Sequence, residues 1–448
     1  MSRRPSYNEL FNLVHQQAKE IALLKEELAQ LKHRKTSRNS SIPPSKDENR
    51  PKANQSLRKS SGKKPGGQIG REGKTLEMVT CPNIIVPLQP DYCCHCGLSL
   101  EHLQGLKSQS RQIVDIPPVK AVFTEYQVYS KTCSCGCQTT ADFPQGVNAA
   151  VSYGENIEGL IGYFHARQYL PFARMQEVFN DVFNIDISEG GIHYLLNRFS
   201  VKVSPIYDLI KQRVTKSKVV GADETGAKVN GNKHWFWAWQ TPELTFITHA
   251  GNRKTDIVKK HFPNGFPNST LVHDGWKPQL NTPAKNHQTC LAHLQRHLIY
   301  INKLYPESEW GILFLKLLYQ SLELKPKMNQ KNYEFERAKI IQTLEGLLQN
   351  PPDKQHKKLM SFYKRICRER QQLFVFLYLK EVPPDNNASE RAIRNVKVKQ
   401  KISGQFKTEQ AAQNFAKIRS VIDTTIKNGM NVLEAMRLIA KFEYQFAD

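Results

Sequence analysis

The chain has 448 residues, and its 64 Lys and Arg against 41 Asp and Glu give a formal net charge of +23. That length exceeds what one hydrophobic core serves and points to about three domains, in a multidomain α/β protein. With 39% hydrophobic residues, no apolar run of roughly 18 and a polar, basic N-terminus, neither a membrane span nor a secretory signal is expected, and the charge points to nucleic acid as partner.

The expected location is the cytoplasm, with nucleoid association when DNA is bound. Nine cysteines are present, seven of them between Cys81 and Cys137. In a chain without an export signal, such clustering predicts metal binding rather than disulfides.

Leu10, Val14, Gln17, Ile21, Leu24, Leu28 and Leu31 recur at alternating spacings of four and three. This heptad stripe predicts a coiled-coil helix over 7–34, pairing two copies of the chain or lying on the protein's own body. From Lys32 to Lys74 the hydrophobic pattern vanishes, and 13 basic residues face 3 acidic ones. A basic disordered linker is therefore predicted over 35–74, able to contact phosphates without reading sequence.

A small β-rich domain is expected over 75–148, from alternating stretches such as QIVDIPPVKAVFTEYQVYSKTC. Cys93 and Cys96 form a C-x-x-C before Gly97, and Cys133 and Cys135 supply a second close pair. Four thiolates make a closed structural zinc site, whose folding energy a unit this small lacks. Cys94 and Cys137 remain substitutes. Residues 153–215 have helical spacing on both sides of NIDIS, with Ser188 as an N-cap, which fits a DNA-reading helix-turn-helix and an ordinary helical pair equally.

After Lys218 the pattern turns to strands: VVGAD, KHWFWAWQ and LTFITHA, then TLVHDG and NHQTCL after a short helix. Asp223 on the first strand and Asp274 at the end of the fourth give a ribonuclease-H-like order over 216–302. A helical insertion over 303–380 separates this from a second part over 381–448, where PPDNNASERAIRNVKVKQ opens a helix carrying Glu390. Two strand-borne aspartates and a helix-borne glutamate suit two divalent cations and the cutting and joining of phosphodiesters. Two alternatives stand beside this. Glu224 fits the ligand position as well as its neighbour does, and Asn387 as N-cap with Glu390 at N3 would form a capping box.

Arg391, Arg394 and Lys397 lie beside Glu390, the last two on its helix face, and suit DNA phosphates. His293 and Arg296 in CLAHLQRHL either contact phosphate or orient the core. Trp276 either stacks on an unpaired base or packs internally.

These residues carry a resemblance. SRNSSIPPSKD, GKKPGGQIGREG, the Cys93–Cys137 region ending in TTADFP, GADETG, HDGW, CLAHLQRH, NNASERAIR and NFAKIRSVIDTTIKNGMNVLEAM resemble bacterial transposases of the insertion-sequence-66 family. The resemblance implies a leucine-zipper-like N-terminus, a zinc-binding domain and a DDE core of ribonuclease-H-like fold. It maps the triad onto Asp223, Asp274 and Glu390, with Glu390 and Lys397 matching an E-x6-K pattern. One departure is that Cys133 and Cys135 stand only one residue apart, where the family usually has a second C-x-x-C.

The implied activity is DNA transposition for an insertion sequence: binding element ends, then Mg2+-assisted cleavage and strand transfer by a homodimer or higher oligomer on DNA. The alternatives are a non-catalytic DNA-binding derivative of a transposase and a nuclease that cuts without joining.

Overall fold

The computed structural model describes residues 6–33, 35–36, 39–40, 47, 75–144, 147 and 149–442. The linker expected over 35–74 thus lies almost wholly outside the described residues. The chain divides into two compact units, Pro51–Val122 and the remainder.

In the larger unit, helix α1 (Tyr7–Lys32) starts on a capping box, with Ser6 and Glu9 satisfying each other's backbone N–H groups. Leu10, Val14, Ile21, Leu24, Leu28 and Leu31 all stay exposed along it, Leu31 by 75%. Only its C-terminal half leans on the body, where Ala29 packs against a helical cluster.

The alternation seen over 112–129 is not realised as strands. Regular pairing in the larger unit begins with a hairpin, β1 (Ser130–Thr132) and β2 (Gln138–Thr140), whose turn is Cys133–Cys137. In the smaller unit an isolated bridge, Tyr92 to Ser99, closes the Cys93–Gly97 turn. Two physical reasons account for the missing strands. Pro117 and Pro118 lack the N–H donors a ladder needs, and Ile113, 96% exposed, has no layer to pack on.

Three helices follow in the larger unit: α2 (Glu155–Ala166), α3 (Phe172–Phe183) and α4 (Glu189–Val214). Asn184 ends α3 in the left-handed region and Ser188 caps α4 by accepting from the Gly191 N–H. Along its whole length α4 buries Ile192, Leu195, Phe199, Val203, Tyr207, Ile210 and Val214 in one cluster with the sheet. The helices of 153–215 therefore share the core of the sheet.

The sheet contains β3 (Val219–Val229), β4 (Asn232–Gln240), β5 (Thr245–Ala250), β6 (Phe266–His273) and β7 (Ala284–Thr289), in spatial order β5-β4-β3-β6-β7. β4 runs antiparallel to both β3 and β5, β6 runs parallel to β3, and β7 parallel to β6. Short helices α5 (Thr255–His261) and α6 (Lys277–Leu280) flank β6 in sequence.

Beyond β7 the chain is helical through α7 (Leu291–Leu304), α8 (Glu309–Leu324), α9 (Tyr333–Gln349) and α10 (Lys357–Glu369), the last three lying within the 303–380 read as a helical insertion. They bury a second core around Phe314, Leu318, Leu344, Phe362 and Ile366. The insertion leaves and returns at one place. The Leu291 N–H donates to the Pro384 carbonyl, and the Asn386 N–H to Cys290 Sγ at 3.2 Å.

Helices α11 (Asn387–Ser403), α12 (Glu409–Lys427) and α13 (Val432–Ala440) end the described fold. The start of α11 is pressed onto β3. Asn386 Nδ2 donates to the Ala222 carbonyl at 2.8 Å, and Ser389 Oγ donates to Asn386 Oδ1 at 2.6 Å. Gly221 permits this approach, because a Cβ there would stand 2.6 Å from Gln240 Nε2 and still closer to Ser389 Oγ.

Two stability changes follow. Gly221→Ala should destabilise the protein by about 1–3 kcal/mol through overpacking. Phe415→Ala should cost about 3–5 kcal/mol, since Phe415 is fully buried among Phe236, Phe406 and His165. Urea-unfolding midpoints of the full chain measure both.

Candidate active site

The last paired residues of the parallel β3/β6 ladder are Gly221 and Val272. Two residues further on each chain stand Asp223 and Asp274. Asp223 lies within β3 and Asp274 one residue past the end of β6, and the equal advance of extended chain brings the two carboxylates to the same level. Asp223 does not end its strand, as the apolar run VVGAD implied. β3 continues to Val229 along β4, with Phe406 bridging its last residue, and Asp223 sits where β6 departs.

The pleat separates Asp223 from Glu224. Asp223 pairs with Ala238 and Glu224 with Trp237, so they face opposite sides of the sheet. Asp223 shares its face with Gly221, on which α11 is docked. Glu224 is buried against Arg253, whose Nε donates to it at 2.7 Å, and against Gln279 Nε2 at 2.5 Å. At the open end of the ladder both carboxylates still reach Asp274. One oxygen from each of Asp223, Glu224 and Asp274 lies within 4.8 Å of the others.

Charge crowding is visible in the titration of these groups. Burial, then Glu224 and Asp274, push Asp223 well above the usual carboxylate range, and Glu390 adds to the effect. Burial and Asp274 push Glu224 up to about 7, against the pull of Arg253. Like charges held this close favour a bound cation.

Asp274 is held by its own turn. The Trp276 N–H donates to Asp274 Oδ1 at 3.0 Å, and Arg365 Nη2 to the Asp274 carbonyl at 3.1 Å. Gly275 makes the turn at φ +87°, and a side chain there would collide with the Arg365 guanidinium.

Glu390 projects from the first turn of α11 but is not within the tight group of three. The N-cap is Asn386, with no side-chain capping bond, so Glu390 stands one place beyond N3 and the expected capping box does not form. Its carboxylate is taken instead by Arg394 at 3.4 Å, Arg296 at 3.5 Å and His293 at 3.8 Å. His293 and Arg296 thus lie at the site, on α7, facing an acid. His293 is anchored by Cys290 Sγ, 3.3 Å from its Nδ1.

Arg391 is exposed, and Lys397 donates to the Gly226 carbonyl of β3. Trp276 is 38% exposed, with the Arg253 guanidinium 3.7 Å from its ring centroid. Arg253, Gln279 and Asn386 have no signal in linear spacing. Only pleat parity, with Glu224 on the second face, could have hinted at a cation there.

Two tight turns carry cysteines. In one, the Gly97 N–H donates to the Cys93 carbonyl, and backbone N–H groups of Cys96 and His95 lower the Cys93 thiol pKa. In the other, the Gly136 N–H donates to the Cys133 carbonyl, and Cys135 backbone lowers the Cys133 thiol. Gly97 and Gly136 both adopt positive φ, +73° and +82°, which glycine allows without strain in so tight a turn. No described helix is long and apolar enough to cross a membrane.

Residues 4–77 match a model described as a family of unknown function (DUF6444), and no curated protein matches the chain. Residues 151–414 match the model described as the transposase IS66 family. That match includes β3, β6 and the helix of Glu390 and spans more than half of the sequence: the chain belongs to the transposase IS66 family.

Proposed function

We propose that the protein is the DNA transposase of an insertion sequence, binding element ends and catalysing metal-dependent cleavage and strand transfer at Asp223, Asp274 and Glu390. Family membership implies DNA as partner and use of divalent metal. The observation that carries the reading is the common level of Asp223 and Asp274 on adjacent parallel strands, with the helix of Glu390 docked on the Asp223 face. Three antiparallel strands followed by two parallel ones support a ribonuclease-H-like core, split by a helical insertion.

The residues present fit divalent cations. Asp223 and Asp274, two members of the group whose oxygens lie within 4.8 Å of one another, offer the carboxylate oxygens that Mg2+ prefers. Two such cations, when bound, activate water and stabilise a leaving 3′ oxygen. Asp223 and Asp274 serve as ligands from the strands. Glu390 completes the set once it exchanges part of its hold on Arg296 and Arg394, which are then released toward DNA phosphates. Glu224 remains with Arg253 and Gln279, outside the face of Glu390, and fixes the position of Arg253. The nucleophile, first water and then a freed 3′-OH, displaces the leaving oxygen in line at phosphorus, so one site serves both steps.

Further parts of the reading rest on sequence. Cys93 and Cys96, with Cys133 and Cys135, supply thiolates to structural zinc, and Cys137 is the alternative in the second pair. The exposed stripe on α1 supports a coiled coil with a second copy. Arg391, Arg394, Lys397, His293, Arg296 and Trp276 are the proposed DNA contacts.

Incubation with the element's terminal sequences, a supercoiled target and Mg2+ tests the function. Asp223→Asn, Asp274→Asn and Glu390→Gln should each lower joining by more than the roughly 100-fold that outer-shell partners of metal sites cost, with DNA binding intact. Arg253→Ala should fall within about 10–100-fold. Joined products from the purified triple variant would overturn the assignment, whereas cutting without joining by the wild type would mark a nuclease. For zinc, Cys93→Ser should lower the zinc content of the purified chain and its melting temperature; unchanged metal content would remove that site.

A further inference from the structure

The same sheet face carries a second group of metal-binding side chains. His234 lies on β4, about 13 Å from the level of Asp223, taking four residues at roughly 3.3 Å each. His249 on β5 pairs with Phe236, which places it diagonally beside His234. The two imidazoles stack with centroids 5.0 Å apart, and His234 Nδ1 faces His249 Nε2 at 2.9 Å. Glu409, the first residue of α12, completes the group: one ligand atom from each residue lies within 4.8 Å of the others.

We propose that His234, His249 and Glu409 form a transition-metal site of the zinc class, separate from the carboxylate cluster. The donor set decides the class. Two imidazole nitrogens and one carboxylate suit Zn2+ or its neighbours, whereas Mg2+ prefers oxygen alone. Three protein ligands leave a fourth position open.

Binding an ion would replace the hydrogen bond that now joins the two imidazoles. Tetrahedral coordination at about 2.0–2.1 Å separates ligand atoms by roughly 3.3 Å, so the two nitrogens open by a few tenths of an ångström. Glu409 is exposed and its side chain is free to swing inward. The His249 backbone is already fixed, its N–H donating to Gln413 Oε1 one helical turn beyond Glu409.

Such an ion would tie the β4–β5 pair to the start of α12. That helix follows α11 through a segment already held by Phe406, which donates to the Lys228 carbonyl and accepts from the Asn230 N–H. The site would therefore fasten the return of the chain after the insertion, and with it the helix bearing Glu390.

The test uses the full chain, stripped with chelator and titrated with Co2+ in excess Mg2+, which occupies all-oxygen sites. Nitrogen and oxygen ligation gives visible d–d absorption without the sulfur charge-transfer bands of a cysteine site. One equivalent of this type is expected per chain, with a rise in melting temperature of several degrees. Both should be lost in His249→Gln. In Glu409→Gln, an exposed change that leaves the stripped protein's melting temperature unaltered, Co2+ affinity should fall at least tenfold. Absence of the signal in wild type, or equal Co2+ affinity in wild type and Glu409→Gln, overturns the site.

Discussion

The structure depends on one close approach, the seating of the α11 N-terminus on β3. Gly221 offers no side chain, and Asn386 bridges to the Ala222 carbonyl while receiving the Ser389 hydroxyl. A backbone carbonyl at the end of a ladder needs a partner, and here that partner comes from more than 160 residues away in sequence. The contact turns a distant glutamate into a neighbour of Asp223. It also explains how nearly a hundred intervening residues are accommodated. The helical segment that includes residues 303–380 leaves at Cys290 and returns at Pro384 and Asn386, so the chain re-enters beside the point where it left.

Electrostatics then divides the acids between two roles. Burial, then the charges of Glu224 and Asp274, raises the proton affinity of Asp223, and burial with Asp274 raises that of Glu224, which costs stability until positive charge arrives. Two sets of arginines answer this from opposite faces. Arg253 takes Glu224 on one, while Arg296 and Arg394 take Glu390 on the other. The partly exposed arginines at Glu390 are weakly held and can be exchanged, whereas Arg253 is also stacked between Trp235 and Trp276 and is not readily released.

Much of this was legible in the sequence, for identifiable reasons. The strands around Trp235–Trp239 and Leu271–His273 are long β-branched or aromatic runs, and periodicity finds those. The order of Asp223, Asp274 and Glu390 on strand, strand and helix followed directly. The choice between Asp223 and Glu224 did not, because it turns on pleat parity relative to a helix docked from afar. The capping box at Glu390 failed by one residue, since Asn386 rather than Asn387 starts the helix, and that residue is recruited by the sheet. The strand signal of 112–129 misled because alternation records a propensity to pair, and no partner strand is present among the described residues.

The central claim is that Asp223 and Asp274 are brought level to hold divalent cations beneath Glu390. Crystals of the full chain soaked in Mn2+, with anomalous scattering recorded at the manganese edge, test it directly. The account predicts a peak at about 2.0–2.3 Å from carboxylate oxygens of both Asp223 and Asp274. A peak coordinated by Glu224 and Asp274 without Asp223, or manganese bound only elsewhere, would contradict it.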